Sequence, residues 1–177
     1  MAEKDKADNA EEAQRLASEY ERKCTGCAQS VVAGLIDTLG VEDAGEGVFR
    51  AASGLADGIG LTGDGSCGAL TGACMVIGLL FGRERKDHAD MMKPMRSYLM
   101  CKELHGYFIE KYGSCRCYDI QEKLMGRTYD MYDPNDLREA FRSGMIDHCS
   151  SVVGGAARKA AEIILRERAK EEQGEED

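Results

Sequence analysis

Ala69-Leu-Thr-Gly-Ala-Cys-Met-Val-Ile-Gly-Leu-Leu-Phe-Gly82 is the longest uncharged apolar run in the chain, and its reading decides the fold. A bilayer-spanning helix needs about 20 apolar residues, so this run is too short to cross a membrane and reads as a helix buried in a protein core. It carries glycine at 72 and 78 and alanine at 69 and 73, the residues that let helices approach closely. The wider composition agrees: 177 residues with no tryptophan, only 2 prolines and 21 glycines. A chain of this length forms one domain with a sizeable core. The expectation is an all-α protein, an irregular bundle of four to five main helices packed through small residues.

Working outward from that helix, residues 1–22 form a polar N-terminal segment, frayed over 1–8 and then helical, with Leu16 and Tyr20 as its thin apolar edge. Residues 23–168 make the cysteine-rich helical domain. Within it a helix is predicted over 25–39, where Val31, Val32, Leu35, Ile36 and Leu39 recur at spacings of three and four and Gly40 supplies a C-cap. Another is predicted over 45–55, followed by a loop with glycine at 54, 58, 60, 63 and 65. A charged connector over 83–90 leads to a long helix with Pro94 in its first turn and Leu99, Leu104, Tyr107, Phe108 and Tyr112 as its buried set. Short helices are expected over 118–125 and 136–142, the second capped by Asp133-Pro-Asn-Asp. The last helix runs over 146–168, and 169–177 reads as an acidic, disordered tail.

The chain holds 8 cysteines: Cys24, Cys27, Cys67, Cys74, Cys101, Cys115, Cys117 and Cys149. A chain this rich in ordinary core residues does not need a disulfide framework. No apolar leader precedes the cysteines, which points to the reducing cytoplasm and to metal, cluster or redox chemistry. Their placement sharpens this. Cys24 and Cys27 fall at one helix start, Cys67 just before another, Cys115 and Cys117 in a break between helices, and Cys149 near the start of the last. Helix N-termini carry partial positive charge and unpaired N–H groups, and both stabilise a thiolate. Soft thiolates select zinc, copper(I) or iron–sulfur clusters. Cys74 and Cys101 sit inside apolar helices and read first as small buried hydrophobes, although Cys74 lies two turns after Cys67.

The segments Cys27-Ala-Gln-Ser-Val-Val, Ala51-Ala-Ser-Gly-Leu, Cys67-Gly-Ala-Leu-Thr-Gly-Ala, Gly113-Ser-Cys-Arg-Cys117 and Cys149 ahead of an alanine-rich helix follow one another in order. Over residues 24–166 this pattern resembles the redox-active protein family named for a C…CGAxxG…C…C arrangement, a domain related to one in split-Soret cytochromes. The resemblance implies four cluster-binding cysteines, Cys27, Cys67, Cys117 and Cys149, with Gly68 and Gly72 as motif glycines. It also implies an iron–sulfur cluster, [2Fe–2S] in preference to [4Fe–4S]. Cys24, Cys115 and Cys74 stand as alternative ligands, because extra thiols neighbour the motif positions. The expected function is electron transfer or redox sensing with an unknown redox protein as partner. The alternatives are a metal-free thiol–disulfide oxidoreductase or sensor, with Cys24 and Cys27 as the couple, and a structural zinc protein.

Other features read more plainly. Ala28 follows Cys27 where a c-type haem attachment would need histidine. The glycine loop lacks the Lys-Ser/Thr ending of a P-loop. His148, His88 and His105 read as cap or surface residues, and Met91, Met92, Met95 and Met100 as adaptable core filler. With 32 acids against 23 bases, net charge −9, the chain is a poor match for nucleic acid. The apolar surface of 69–81, of the methionine stretch and of Val152, Val153, Ile163, Ile164 and Leu165 predicts a homodimer.

Overall fold

The computed structural model describes residues 3–174 and is all-α over them. Its helices are α1 (Glu3–Cys24), α2 (Cys27–Leu39), α3 (Glu42–Ala51), α4 (Gly68–Phe81), α5 (Met95–Tyr112), α6 (Cys117–Met125), α7 (Pro134–Arg142) and α8 (Met145–Gln173). Over the described residues the bundle therefore has eight α-helices, more than the four to five main ones expected. The extra ones are short, and each is made separate by a local stop. Gly113 and Gly126 take left-handed conformations at φ 81° and 72°, ending α5 and α6, and Gly144 at φ 81° separates α7 from α8. The Asp133 carboxylate accepts from the backbone N–H groups of Asn135 and Asp136, the cap read from the sequence, with Pro134 at the first helical position.

Both ends of the chain are more helical than their composition suggests. α1 begins at Glu3, inside the stretch expected to fray, and α8 runs on to Gln173, past the start of the expected tail. Residues 1–2 and 175–177, which those expectations also covered, lie outside the described residues. Tertiary packing explains the extension: α1 lies along α8 and α2, burying Ala10, Ala13 and Ala17 completely or almost so. Leu16 and Tyr20, the expected apolar edge, are only half-buried. Small residues make that seam. A Cβ on Gly34 of α2 would come within 2.8 Å of Ala17, and one on Gly154 of α8 would come within 2.1 Å of Ser18 Oγ.

The core is filled from α2, α4, α5 and α8 by Leu35, Val76, Ile77, Leu104, Phe108, Val153, Ile163 and Ile164, all fully buried. Burial of side chains of this size contributes about 1.5–3 kcal/mol each. The apolar run that decided the fold is the central helix α4. On α5 the buried set is Met100, Leu104, Phe108 and Tyr112, while Leu99 is 59% exposed, because the helix rests on α4 and α8 along a narrower stripe than its apolar residues span. The methionines divide as well. Met100 is core, but Met91 and Met92 are 79% and 70% exposed, since the segment before α5 is an irregular connector on the surface. Of the surfaces that suggested a dimer, Val152, Val153, Ile163, Ile164 and Leu165 are covered within the single chain, Met75, Leu79, Leu80 and Phe81 of α4 are half-buried, and Met91 and Met92 are exposed.

Candidate functional site

Between α3 and α4 the chain makes a 3-10 turn over Ala52–Leu55 and then the glycine loop. Asp57, Gly58, Ile59, Gly60 and Leu61 all have left-handed backbones, with φ between 45° and 71°, and Gly63 follows at 68°. Such a run costs about 1–2 kcal/mol for each non-glycine residue. It is held by cross-loop hydrogen bonds, Gly63 N–H to Asp57 O at 2.8 Å and Gly65 N–H to Gly58 O at 3.0 Å. Strain of this kind persists where the surroundings over-determine it, often at sites.

The loop delivers Cys67 to the head of α4 and at the same time pairs with the segment after α5. Cys67 N–H donates to Cys115 O at 2.8 Å, Cys117 N–H to Gly65 O at 2.9 Å, and Ser66 and Arg116 form an isolated antiparallel bridge. Arg116 closes the outside of this junction, reaching Asp64 at 2.6 Å and Asp119 at 2.9 Å. These exposed pairs contribute little to stability but define the register. The bridge sets Cys67 and Cys117 side by side.

The motif glycines bring in the third thiol. A Cβ on Gly68 would lie 2.4 Å from Cys27 Sγ and 2.8 Å from Leu55 O, and one on Gly72 would lie 2.4 Å from Ala28 O. Only glycine lets the first turns of α2 and α4 touch backbone to backbone, with Cys27 between them. Cys149, in the second turn of α8, completes the group. Cys27, Cys67, Cys117 and Cys149 all line one predominantly apolar cavity of about 280 Å³.

The polar partners are few and specific. Hydrogen bonds from Cys117 and from the first-turn N–H groups of Ala69 and Leu70 hold the Cys67 thiol below its ordinary pKa, against the opposing effect of burial. Cys117 moves the other way, raised by its hydrogen bond to Cys67 and by burial. Its S–H has a second acceptor in Asp57 Oδ1 at 2.9 Å, and Gln121 Nε2 donates to that same oxygen at 2.8 Å. Asp57 N–H donates to Cys27 Sγ at 3.5 Å. Burial raises Cys27, and the neighbouring Cys67 raises it further; burial also raises Cys149, with Cys27 and Cys67 adding to the effect. Glu21 also lines the cavity, its carboxyl raised by burial and accepting from Ser30 Oγ at 2.8 Å.

The residues present fit a soft, positively charged inorganic group. Four thiols and two carboxyl groups face the cavity, and no lysine or arginine lines it. Asp57 Oδ2 and Gln121 Oε1 are buried without a hydrogen-bond partner. Four ionised sulfurs there would need compensating cationic charge. Among the described residues no three His, Cys, Asp or Glu side chains are drawn together tightly enough to hold one metal ion.

The remaining cysteines go elsewhere. Cys24 ends α1 and is exposed, separated from Cys27 by Thr25 and Gly26 at φ 59° and 92°. Cys115 contributes its carbonyl to the bridge and a side chain packed on the core. Cys74 and Cys101 are half-buried on the packed helices α4 and α5, and none of these four lines the cavity. Reading the sequence missed Asp57, Gln121 and Glu21, and took His148 for a cap or surface residue although it lines the cavity. Asp57 and Gln121 gave no motif signal, being isolated polar residues in a loop and a short helix.

An all-α scaffold that gathers thiols from four segments at helix ends defines a cysteine-motif protein of redox character. The chain belongs to the family described as "Putative redox-active protein (C_GCAxxG_C_C)", whose match spans residues 25–163. That match begins after Cys24 and includes Cys27, Cys67, Cys117 and Cys149. The family's name writes its central motif G-C-A-x-x-G, whereas this chain has Cys67-Gly-Ala-Leu-Thr-Gly72. No curated protein and no solved structure gives a significant match.

Proposed function

We propose that this protein binds an iron–sulfur cluster through Cys27, Cys67, Cys117 and Cys149 and uses it in electron transfer or redox sensing. The observation that carries the reading is the convergence of four thiols, from four separate segments, on one cavity. A bound cluster would supply a one-electron couple. The chain's own residues do the rest. Hydrogen bonds from Cys117 and from the head of α4 lower the Cys67 thiol, and Asp57 Oδ1 stands at 2.9 Å to take the proton that Cys117 gives up on ligation. Gln121 and the Asp57 N–H orient the sulfurs, while Ile120, Leu124 and Val152 keep the cavity dry. Of the two common cluster types, [2Fe–2S] is the one the split-Soret resemblance favours over [4Fe–4S].

Protein expressed and purified without oxygen should be coloured and carry iron and sulfide in near-equal amounts. Substituting any one of the four ligands by serine should remove most of the colour. A colourless, iron-free anaerobic preparation with eight titratable thiols would overturn the reading. One observation supports a second reading, a metal-free thiol–disulfide protein: the hydrogen-bonded contact of Cys67 with Cys117. It replaces Cys24 and Cys27 as the expected couple. Elemental analysis of the same sample separates both from a structural zinc site. The exposed methionine stretch is the surface offered to a redox partner or a second copy, and light scattering near twice 19.3 kDa would mark the homodimer.

A further inference from the structure

Much of the cavity's lining has no part in presenting thiols. Members of both hydrophobic clusters line it: the main core, on which Cys27 packs, and a smaller cluster of Tyr129, Ala140 and Met145, on which Met131 and Cys149 pack. From the end of α6 to the head of α8 the chain adds an apolar wall that includes Leu124, Met131, Leu137, Phe141 and Ile146. Leu61 and Phe141 line the cavity and are also exposed, so it opens to solvent beside them.

Two polar side chains in this lining are incompletely satisfied. Asp57 and Gln121 are each more than nine-tenths buried, yet Asp57 Oδ2 and Gln121 Oε1 have no hydrogen-bond partner. Neither side chain is free to turn away. Gln121 Nε2 donates to Asp57 Oδ1 at 2.8 Å, and Cys117 Sγ lies 2.9 Å from that same oxygen. Ligation through sulfur uses neither of the two unpartnered oxygens, so they stay unsatisfied whatever the thiols hold. Buried acceptors left without a donor cost free energy, and a bound molecule that brings the donor recovers it. The carboxyl of Glu21 faces the same cavity, and no lysine or arginine lines it.

We infer that this cavity is a binding site for a compact apolar amine, whose ring or short chain lies against the wall of Leu124, Met131, Leu137 and Phe141 and whose ammonium group donates to Asp57 Oδ2 and Gln121 Oε1. Apolar walls with a few convergent polar groups are the usual make-up of a small-molecule site. Size agrees: a dry cavity of about 150 Å³ takes benzene, and about 280 Å³ takes one ring with a short arm. Charge selects the head group. A cation answers two buried carboxyls that have no basic neighbour in the cavity, a neutral hydroxyl answers only the hydrogen bonds, and an anion is repelled. The site goes beyond the cluster reading and does not rest on it.

The test titrates the reduced full chain, purified without oxygen, with benzylamine, benzyl alcohol and benzoate, read by calorimetry and by ligand-observed NMR. The three probes share a ring and differ in the head: cation, neutral donor, anion. Benzylamine should bind at a single site, about tenfold or more tighter than benzyl alcohol, and benzoate should not bind. Asp57→Asn keeps the shape of the side chain and removes its charge, and should bring benzylamine to within about threefold of benzyl alcohol. Leu137→Trp fills the apolar end and should abolish binding of both. If either variant fails to fold, the order of the three probes on the unsubstituted chain decides. No saturable binding of benzylamine at millimolar concentration, benzoate binding as tightly as benzylamine, or undiminished binding to folded Leu137→Trp would overturn the site. Iron analysis of the same sample keeps the two readings apart. A colourless protein that binds benzylamine loses the cluster and keeps this site, and a coloured one that does not bind it does the reverse.

Discussion

The seam of α1, α2 and α8 and the loop between α3 and α4 are both rich in small residues, for different reasons. In the seam the backbone is ordinary helix, and glycine is present because a neighbour occupies the place of a side chain, as Ala17 does for Gly34 and Ser18 for Gly154. In the loop the backbone is a second constraint: Gly60 has nothing within 4 Å of a notional Cβ but sits at φ 59°, while Gly58 and Gly63 combine a left-handed backbone with neighbours closer than 3 Å. The seam uses glycine for contact alone, and the loop uses it for conformation as well. At the cavity the two uses meet, with close contact at Gly68 and Gly72 and left-handed backbone just upstream.

The comparison is open to direct attack. The largest effect is expected from Gly72→Val, which forces a branched side chain onto the Ala28 carbonyl, 2.4 Å from the position of its Cβ. Backbone cannot yield as a side-chain tip can, so unfolding stability should drop by about 3 kcal/mol or more, with α2 and α4 driven apart. Denaturant titration reads the drop, and an unchanged midpoint would mean the helices are not in backbone contact. Gly34→Ala comes next, at about 1–3 kcal/mol, because its Cβ meets Ala17 backbone and side chain at 2.8–2.9 Å.

Gly60→Ala tests the other half of the contrast. It meets no atom, yet a left-handed alanine should cost about 1–2 kcal/mol. Its mirror image is Ile59→Gly, which removes a β-branched residue from φ 71° at a position 52% exposed. That change should stabilise by about 1 kcal/mol and raise the thermal midpoint. If Gly60→Ala is neutral and Ile59→Gly destabilises, the loop is not a strained element.

Much of this was legible in advance. Helix stops at Gly40 and Gly113, the Asp133 cap and the central α4 follow from local chemistry that a linear reading can see. The four cysteines of the cavity were also legible, because each sits at or near a helix start. The buried face of α1 was not, since its alanines carry little hydrophobic signal and become a contact surface only against Gly34 and Gly154. Asp57 was invisible for a related reason: its carboxyl, held above the usual range by burial, acquires meaning only from Cys117 and Gln121, sixty or more residues away.

The smallest expected effect lies on the surface, away from both regions. Arg166 and Lys159 of α8 hold the Glu103 carboxyl of α5 down at about 2. A carboxylate with a depressed folded pKa adds stability above its unfolded pKa, about 4.3, and loses it as pH falls toward the folded value. Glu103→Gln should therefore cost little at pH 7, and its difference from the unsubstituted protein should fade between about pH 4.3 and 2. A difference that grows on acidification would reverse the assigned sign.

By itself the sequence determined the helical class, the extent of α4 and the ends at which the thiols stand, because periodicity, capping and glycine stops act within a few residues of the chain. How each thiol is placed against its neighbours was decided by the tertiary structure. Cys24 and Cys27 are close in sequence and divide between the surface and the cavity, because two left-handed residues turn the chain between them. Cys67 and Cys117 are distant in sequence and come side by side, because a backbone bridge joins their segments. Sulfur chemistry depends on distances of a few ångströms, and those are set by packing between segments that no local pattern connects.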